Sequence, residues 1–482
     1  MGGGGFPFPC IDQELIHVRG GVVLESLHIN EPVFPDNAVS IVDFGAVPDG
    51  TLNTGAINAA IAACAGQGGG RVVVPKGLWL TGPIILQSNI DLHVEMGALV
   101  LFTPDYEQYP VRKINLNGIE HVMVTPPLFG EGLENIAITG SGIFDGSGQY
   151  WRPVKRSKLT ESQWRKLAGS GGVVDEEANI WWPNAAAMHG ARALRQLEHA
   201  KVQLEDYEAV RVYLRPRLMN LVNCKNILID GPIFQNSPMW NLHPLLCENI
   251  VIRNIIVRNH WYAQNGDGLD LESCRNVIVE KSIFDVGDDA ICLKSGKDEV
   301  GRRIGVSTEN VVIRDCTVYH GHGGFVVGSE MSGGVRNVSV ARCQFIGTDV
   351  GLRFKTTRGR GGVVEKIDID QINMINIDGP AIIFDMYYDA FPDDQAVPAV
   401  TEETPQFCDI TVNNVICRNA EIGIFLRGLP EMPLRRLRFN QVQITAKKGV
   451  FTEACEQVSF KGVLVENGQG EVLFDSEENS DR

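Results

Sequence analysis

The sequence predicts an all-β chain wound as a parallel β-helix. Three observations carry that prediction: a theme that recurs, uneven spacing between its copies, and a lack of regular hairpin turns. From residue 218 onward a polar turn leads repeatedly into a short apolar, β-branched run: NCKNILIDGPIF, CENIVIRNIIV, CRNVIVEKSIF, TENVVIRDCTV, VRNVSVARCQF, VEKIDIDQINM, FCDITVNNVIC, LRRLRFNQVQI and EQVSFKGVLV. The copies lie mostly roughly 21 to 34 residues apart, as in a solenoid whose loops of different length leave the same turn of each coil. Each coil then stacks on the next at about 4.8 Å with its alternating Ile and Val inward, so equivalent positions form columns. A β-sandwich would show NG or DG turns at regular intervals, and these do not recur here.

Taken in order, residues 1–36 read as an N-terminal extension, 37–475 as one solenoid domain interrupted at about 150–217, and 476–482 as an acidic tail. The start MGGGGFPFPC lacks the charged and apolar regions of a signal peptide. The periplasm or the exterior is expected if a leader was removed, and the cytoplasm otherwise. Next, IVDFGAVPDGTLNTGAINAAIAACAGQGGGRVVVPKGLWLTGPI reads as strand, turn, helix and strand. The helix is expected from about Thr54 to Ala65, with Ile57 and Ile61 on one face, as a cap over the open apolar end of the solenoid. The glycines Gly66 to Gly70 follow this helix rather than opening one, and no GK[ST] occurs, which argues against nucleotide binding.

The interruption is expected to be helical. Thr160 and Gln163 have capping-box spacing, and one long amphipathic helix is predicted from Asn184, with Ala193, Leu197, Ala200, Leu204 and Tyr207 on its apolar face. That face would pack on the solenoid flank or form a homo-oligomer contact. Before it, Trp181 and Trp182 are adjacent in a strand and cannot both face one core, which leaves one to stack on a sugar ring or to pack at a boundary.

Bulk properties narrow the function. A net charge of −16 argues against nucleic acid as partner. No run reaches the roughly 18 to 20 apolar residues of a membrane span. The 11 cysteines include no CxxC pair, and Cys224, Cys274, Cys316 and Cys343 recur in similar settings, as packed thiols do; neither disulfides nor a zinc site is expected.

Polar residues recur at comparable points of successive repeats. Asn265 and Asp267 lie in QNGDGLDLES, Asp288 and Asp289 in VGDDAICLKS, His322 in HGHGGFVVG, and Arg353 and Lys355 in GLRFKTTRGRGG. Stacking brings them together, with Gly266 and Gly287 expected to let the backbone leave the pleat. Three carboxylates in one column repel, so one stays protonated as a general acid while an ionised one activates water, the division of labour of glycoside hydrolysis. Arg353 and Lys355 share a strand face and suit a substrate carrying its own carboxylate. The same charges would also form a salt-bridge ladder between coils; the set as a whole points to catalysis. Arg358 and Arg360 read equally as solvated loop charges.

On these motifs the sequence resembles the family 28 glycoside hydrolases, the polygalacturonase family of right-handed parallel β-helices, over roughly residues 37 to 470. The family's NTD, GDD, glycine-flanked histidine and RIK motifs correspond to Asn265-Gly266-Asp267, Gly287-Asp288-Asp289, Gly321-His322-Gly323 and Arg353-Phe354-Lys355, with Gly266 and Phe354 departing from it. The resemblance implies that Asp288 is the general acid, that Asp267 and Asp289 hold and deprotonate the water, and that the anomeric configuration inverts. It further implies that His322 supports the acid, that Arg353 and Lys355 bind the galacturonate carboxylate, and that Asn265 contacts substrate. Lys294 and Glu330 complete the expected substrate-binding set, with Arg302 and Arg303 as further candidates. No metal or organic cofactor is implied.

The block HGGFVVGSEMSGGVRNV resembles bacterial exo-acting members, and the interruption at 150–217 would wall off one end of the groove. The expected substrate is a pectic polysaccharide or oligogalacturonide, with homogalacturonan favoured over rhamnogalacturonan or xylogalacturonan. An endo mode, a pectate lyase and a noncatalytic carbohydrate-binding β-helix are the competing readings.

Overall fold

The structure is a computed structural model that describes residues 27–198, 203–388 and 397–476. Most of the expected acidic tail and the first part of the N-terminal extension lie outside the described residues. The repeats form parallel strands stacked coil upon coil, continuing into the long strands Val363–Asp385, Gln406–Arg427 and Leu434–Glu453. In one wall, Ile227, Ile250, Val277, Val311, Val338 and Ile367 are successive partners, and all are buried. Alternation explains this: each β-branched residue points inward and its neighbour outward.

Two columns fix the turns. Asn89, Asn135, Asn226, Asn249, Asn276, Asn310 and Asn337 all adopt φ near the left-handed region, between 54° and 63°. Each Nδ2 after the first donates to the Oδ1 of the asparagine one coil before, at 3.0–3.2 Å. Asparagine tolerates that backbone and leaves an amide free to bridge coils. Beside it Cys224, Cys247 and Cys274 stack, while Cys316 and Cys343 stack at another turn of the coil; all five are buried and form no disulfide, the packed thiols that the spacing predicts.

The expected helix is present as α1 (Thr54–Gly66), with Ile57 and Ile61 buried against the main core. Leu27, Ile29 and Phe34 of the N-terminal extension cover an outward apolar column of Ala137, Leu228, Val251, Ile278 and Val312. That column ends at Asp91 on one side and Ser339 on the other, and Glu31 pairs with Arg253 beside it.

The interruption differs from its prediction. It contains an antiparallel sheet of Val154–Lys155, Ile180–Trp182 and Val173–Asp175, as well as α2 (Glu161–Ala168), which opens with the predicted Thr160/Gln163 capping box. The single long helix does not form. α3 (Ala185–Glu198) carries Ala193 and Leu197, Ala200 lies outside the described residues, and Leu204 and Tyr207 sit on a 3₁₀ turn, Leu204–Val210. There Gln203 N–H donates to Asp206 at 2.8 Å, a local cap that begins a new element. Leu204 and Tyr207 pack on Tyr109 and Trp151, so tertiary contact overrides the helical period. Among the described residues no helix is long and apolar enough to cross a membrane.

Candidate active site

The strands Leu269–Glu272, Asp289–Lys294, Gly323–Gly328 and Leu352–Lys355 are consecutive neighbours in the stack. Asp267 and Asp288 precede two of these strands and Asp289 opens the second, so the repeat converts large sequence separations into side-by-side carboxylates. One oxygen from each of Asp267, Asp288 and Asp289 lies within 4.8 Å of the others. Gly266 and Gly287 take no left-handed φ; their need for glycine is close approach. A Cβ on Gly287 would stand 2.5 Å from the His260 carbonyl oxygen.

The three carboxyls are electrostatically distinct. Asp289 is buried, which alone would raise its pKa, but the charges of Lys355, Arg353 and Lys294 outweigh burial and draw it down to about 2. Lys355 Nζ donates to its Oδ2 at 2.7 Å and Arg353 Nη1 to its Oδ1 at 3.4 Å. Asp267 goes the other way: burial, then the nearby Asp288 charge, pushes it well above the usual carboxylate range. Its Oδ1 is buried without a hydrogen-bond partner. Like charges this close share a proton. Asp288 is the more open of the two, with 14% of its side chain exposed. Its Oδ1 accepts from the Asp289 backbone N–H at 3.0 Å and lies 3.0 Å from His322 Nδ1.

The three oxygens would also suit a hard cation, but such ions take six or more oxygen ligands. Both oxygens of Asp289 are already engaged by cationic side chains, so the donor set fits acid–base chemistry better than a resident metal.

Other predicted residues separate into two groups. Asn265 borders the trio, and its Oδ1 accepts from Arg215 Nη2 at 2.9 Å. Arg353 and Lys355 share the site face as predicted, with Phe354 turned inward and stacked on Phe384 at 4.2 Å. Lys294 and Glu330 pair with each other at 3.3 Å. Lys294 also lies 3.6 Å from buried Asp270 and 4.7 Å from the centre of the Trp240 ring. Arg302 instead donates to Gly359 O at 2.6 Å and pairs with Glu403, while Arg303 is exposed beside Glu299. Arg358 and Arg360 are paired rather than merely solvated, with Glu431 and Asp298 respectively.

Several residues at the site went unpredicted. Asp270 follows Asp267 in the same GDGLDLES run; its place on the outward phase of LDL was the available signal. His243 sits one coil earlier and pairs with Glu272 at 2.8 Å. The interruption supplies the rest. Trp181 is buried with Val154 and Trp164, whereas Trp182 faces Tyr213, as strand alternation demands. Trp182, Tyr213, Arg215 and Asn265 line a cleft of about 370 Å³ next to the trio. Burial lowers the Arg215 pKa to about 10. On the other side, Lys158, Trp261, His322 and Asp349 line a second cleft of about 410 Å³.

A stacked parallel β-helix thus carries three electrostatically distinct carboxyls together on one outer wall. Residues 154–466 match the family model for Glycosyl hydrolases family 28. The chain therefore belongs to that family and is a glycoside hydrolase with a right-handed parallel β-helix fold. It is 29% identical over 431 residues to a "Probable polygalacturonase" of Vitis vinifera, covering 88% of this chain and 78% of the relative. It is 28% identical to an "Exo-poly-alpha-D-galacturonosidase" of Dickeya chrysanthemi, covering 79% of this chain and 62% of that longer protein. Among solved structures, the hyperthermoactive exopolygalacturonase from Thermotoga maritima superposes with a TM-score of 0.76 at 35% identity, covering 91% of this chain and 94% of its own. The polygalacturonase from Erwinia carotovora ssp. carotovora shares the fold at 21% identity, with a TM-score of 0.64 and coverage of 90% and 99%.

Proposed function

We propose that the chain hydrolyses α-1,4-galacturonosidic bonds of homogalacturonan or its oligosaccharides, acting from chain ends. The observation that carries the reading is the division of the trio: an ionised Asp289 held by two cations, a buried Asp267 whose pKa is pushed up, and the more open Asp288 within reach of both and of His322. Asp288, the more open member, gives its proton to the glycosidic oxygen as the bond to C1 breaks. Asp289 takes a proton from the water that attacks C1, and Asp267 orients that water. Arg353, with 21% of its side chain exposed, pairs with the galacturonate carboxylate, whereas Lys355 is committed to Asp289. The end-acting mode is supported by the Trp182–Tyr213 cleft, where one ring can stack on a terminal sugar beside the Arg215 charge, and by the exo-acting relatives.

The closest oxygens of the trio are nearer than the roughly 6.5 to 9.5 Å of a typical inverting pair. Inversion in this proposal therefore rests on family resemblance, and the anomer first released, read by proton NMR, checks it. The main test is a product time course on de-esterified polygalacturonate without added metal. Early monomer or dimer with slow viscosity loss is expected. Rapid viscosity loss would mean an endo enzyme, unsaturated products a lyase, and no release a branched pectin or a binding module. Asp288→Asn is expected to abolish turnover while retaining binding; retained turnover removes Asp288 from its role. Association of chains through the interruption is the remaining part of this proposal, and a monomer in analytical ultracentrifugation would remove it.

A further inference from the structure

The charge set on His322 comes from four separate elements. Its Nδ1 faces Asp288 Oδ1 at 3.0 Å, and its Nε2 lies 2.9 Å from Lys158 Nζ, which the interruption delivers from 164 residues away. Asp349 Oδ2 stands 3.7 Å from the same Nε2. Arg353 Nη1 donates to the His322 backbone oxygen at 3.4 Å, and Asp378 and His320 also line this cleft, the latter paired with Asp285.

A lysine ammonium has three donors and no acceptor. To be bonded by Lys158, Nε2 must therefore carry its lone pair, so the one ring proton sits on Nδ1 and is donated to Asp288 Oδ1. That oxygen also accepts the Asp289 N–H, so the acidic proton of Asp288 belongs on Oδ2. Without Lys158, Nε2 would face only the Asp349 carboxylate, which favours a second ring proton. An imidazolium beside Asp288 then stabilises the carboxylate, and the acid arrives at the reaction without its proton.

We propose that Lys158 is a positioning residue that locks His322 as the neutral Nδ1–H tautomer and thereby keeps the proton on Asp288, against the pull of Asp349. The inference rests on the hydrolase reading with Asp288 as acid. It makes the interruption part of the acid machinery as well as a wall of the groove.

The test is steady-state kinetics on a short oligogalacturonide. General acid catalysis contributes about 10² to 10⁴-fold, and Lys158→Met is expected to lower kcat about tenfold, with KM nearly unchanged and a deficit that deepens as pH falls. Adding Asp349→Asn to Lys158→Met should restore most of kcat, which repair of a merely structural defect would not do. A rise in KM at constant kcat would make Lys158 a substrate ligand and overturn the inference, as would unchanged kcat or absence of rescue. Nitrogen-15 spectra of histidine-labelled unmodified protein give a reading that needs no variant. A neutral His322 protonated on Nδ1 supports the proposal; the other tautomer, or an imidazolium, overturns it. Retained turnover in Asp288→Asn would sink the hydrolase reading itself, whereas an inactive Asp288→Asn beside an undisturbed Lys158→Met sinks only the inference.

Discussion

The solenoid and its interruption build the same site by opposite means. In the solenoid, position is inherited from the repeat: Asp289 pairs in register with Gly323, and Leu352–Lys355 stacks two strands further on. In residues 150–217 nothing repeats, and each contact to the site is made once, over a long separation, as with Lys158 and His322 or Arg215 and Asn265. The solenoid therefore places the carboxyl trio and its cations on one stacked wall. The interruption adds an aromatic face, Trp182 and Tyr213, and one cation, Lys158, against the histidine.

Breaking the solenoid's part should have the largest effect. Lys355→Met removes the nearer cation from Asp289 and leaves a buried carboxylate with the longer Arg353 contact and the charge of Lys294, a change of the kind that costs about 3 to 5 kcal/mol when a buried pair loses one member. Because the cations draw Asp289 down from 3.8 to about 2, the ionised base should survive in acid. In the variant its pKa rises, so the acidic limb of the kcat profile should move to higher pH, with turnover down about 100-fold. The sign for stability follows as well. A depressed carboxylate stabilises the fold above its unfolded pKa and loses that contribution as pH falls through the folded value. The unmodified protein should therefore lose this part of its stability between 3.8 and about 2. The variant should lose it at higher pH. An unchanged acidic limb would show that Lys355 does not hold Asp289.

The second effect sharpens the repeat itself. Asn276 donates to Asn249 and accepts from Asn310, and it sits at φ 55°. Asn276→Ala keeps the Cβ but removes the amide that lets asparagine tolerate the left-handed region, together with both ladder bonds, at about 1 kcal/mol for each bond lost. Thermal unfolding should shift down while the pH profile of activity stays put. A shift in the profile would mean that the ladder reaches the site.

This contrast also explains what the sequence made legible. The β-helix, α1, the buried thiols and the trio were readable because each follows from a spacing that the coils convert into contact. The asparagine ladder was visible in the letters, as the N of CKN, CEN and CRN, but its meaning depends on the left-handed turn that only the backbone shows. The predicted long helix failed where Leu204 and Tyr207 are drawn to Trp151, a tertiary preference that no local period records. Arg302, read as a pocket-lining candidate, is engaged by Gly359 and Glu403, whereas Lys294 and Glu330, both read as substrate-binding, pair with each other beside Asp270.

Disturbing the interruption should cost less and change a different quantity. Trp182→Ala removes the aromatic face beside Asn265. Stacking of this kind contributes about 1 kcal/mol, or about fivefold in KM. The expected signature is weaker binding of the terminal unit, with a larger share of longer products, at nearly constant kcat on a short substrate. A fall in kcat with KM unchanged would place Trp182 in the acid–base machinery rather than in recognition.

The smallest effect tests whether the interruption behaves as a separate mechanical part. Thr160 caps α2: Gln163 N–H donates to its hydroxyl, and the Gln163 side chain returns to the Thr160 backbone N–H at 2.8 Å. Lys158 lies two residues before this cap, at the end of the short turn Arg156–Lys158. Thr160→Ala should cost about 1 kcal/mol, all of it local, because α2 packs through Trp164 on Trp181 and Val154 and not on the solenoid core. Hydrogen exchange should therefore quicken over 160–168 while the coils keep their protection and the unfolding midpoint hardly moves. If Lys158 is held by the start of α2, kcat should fall slightly in step with that local opening. Faster exchange in the coils would mean that the two regions share one cooperative unit, and the contrast between a rigid wall and an appended, adjustable part would have to be given up.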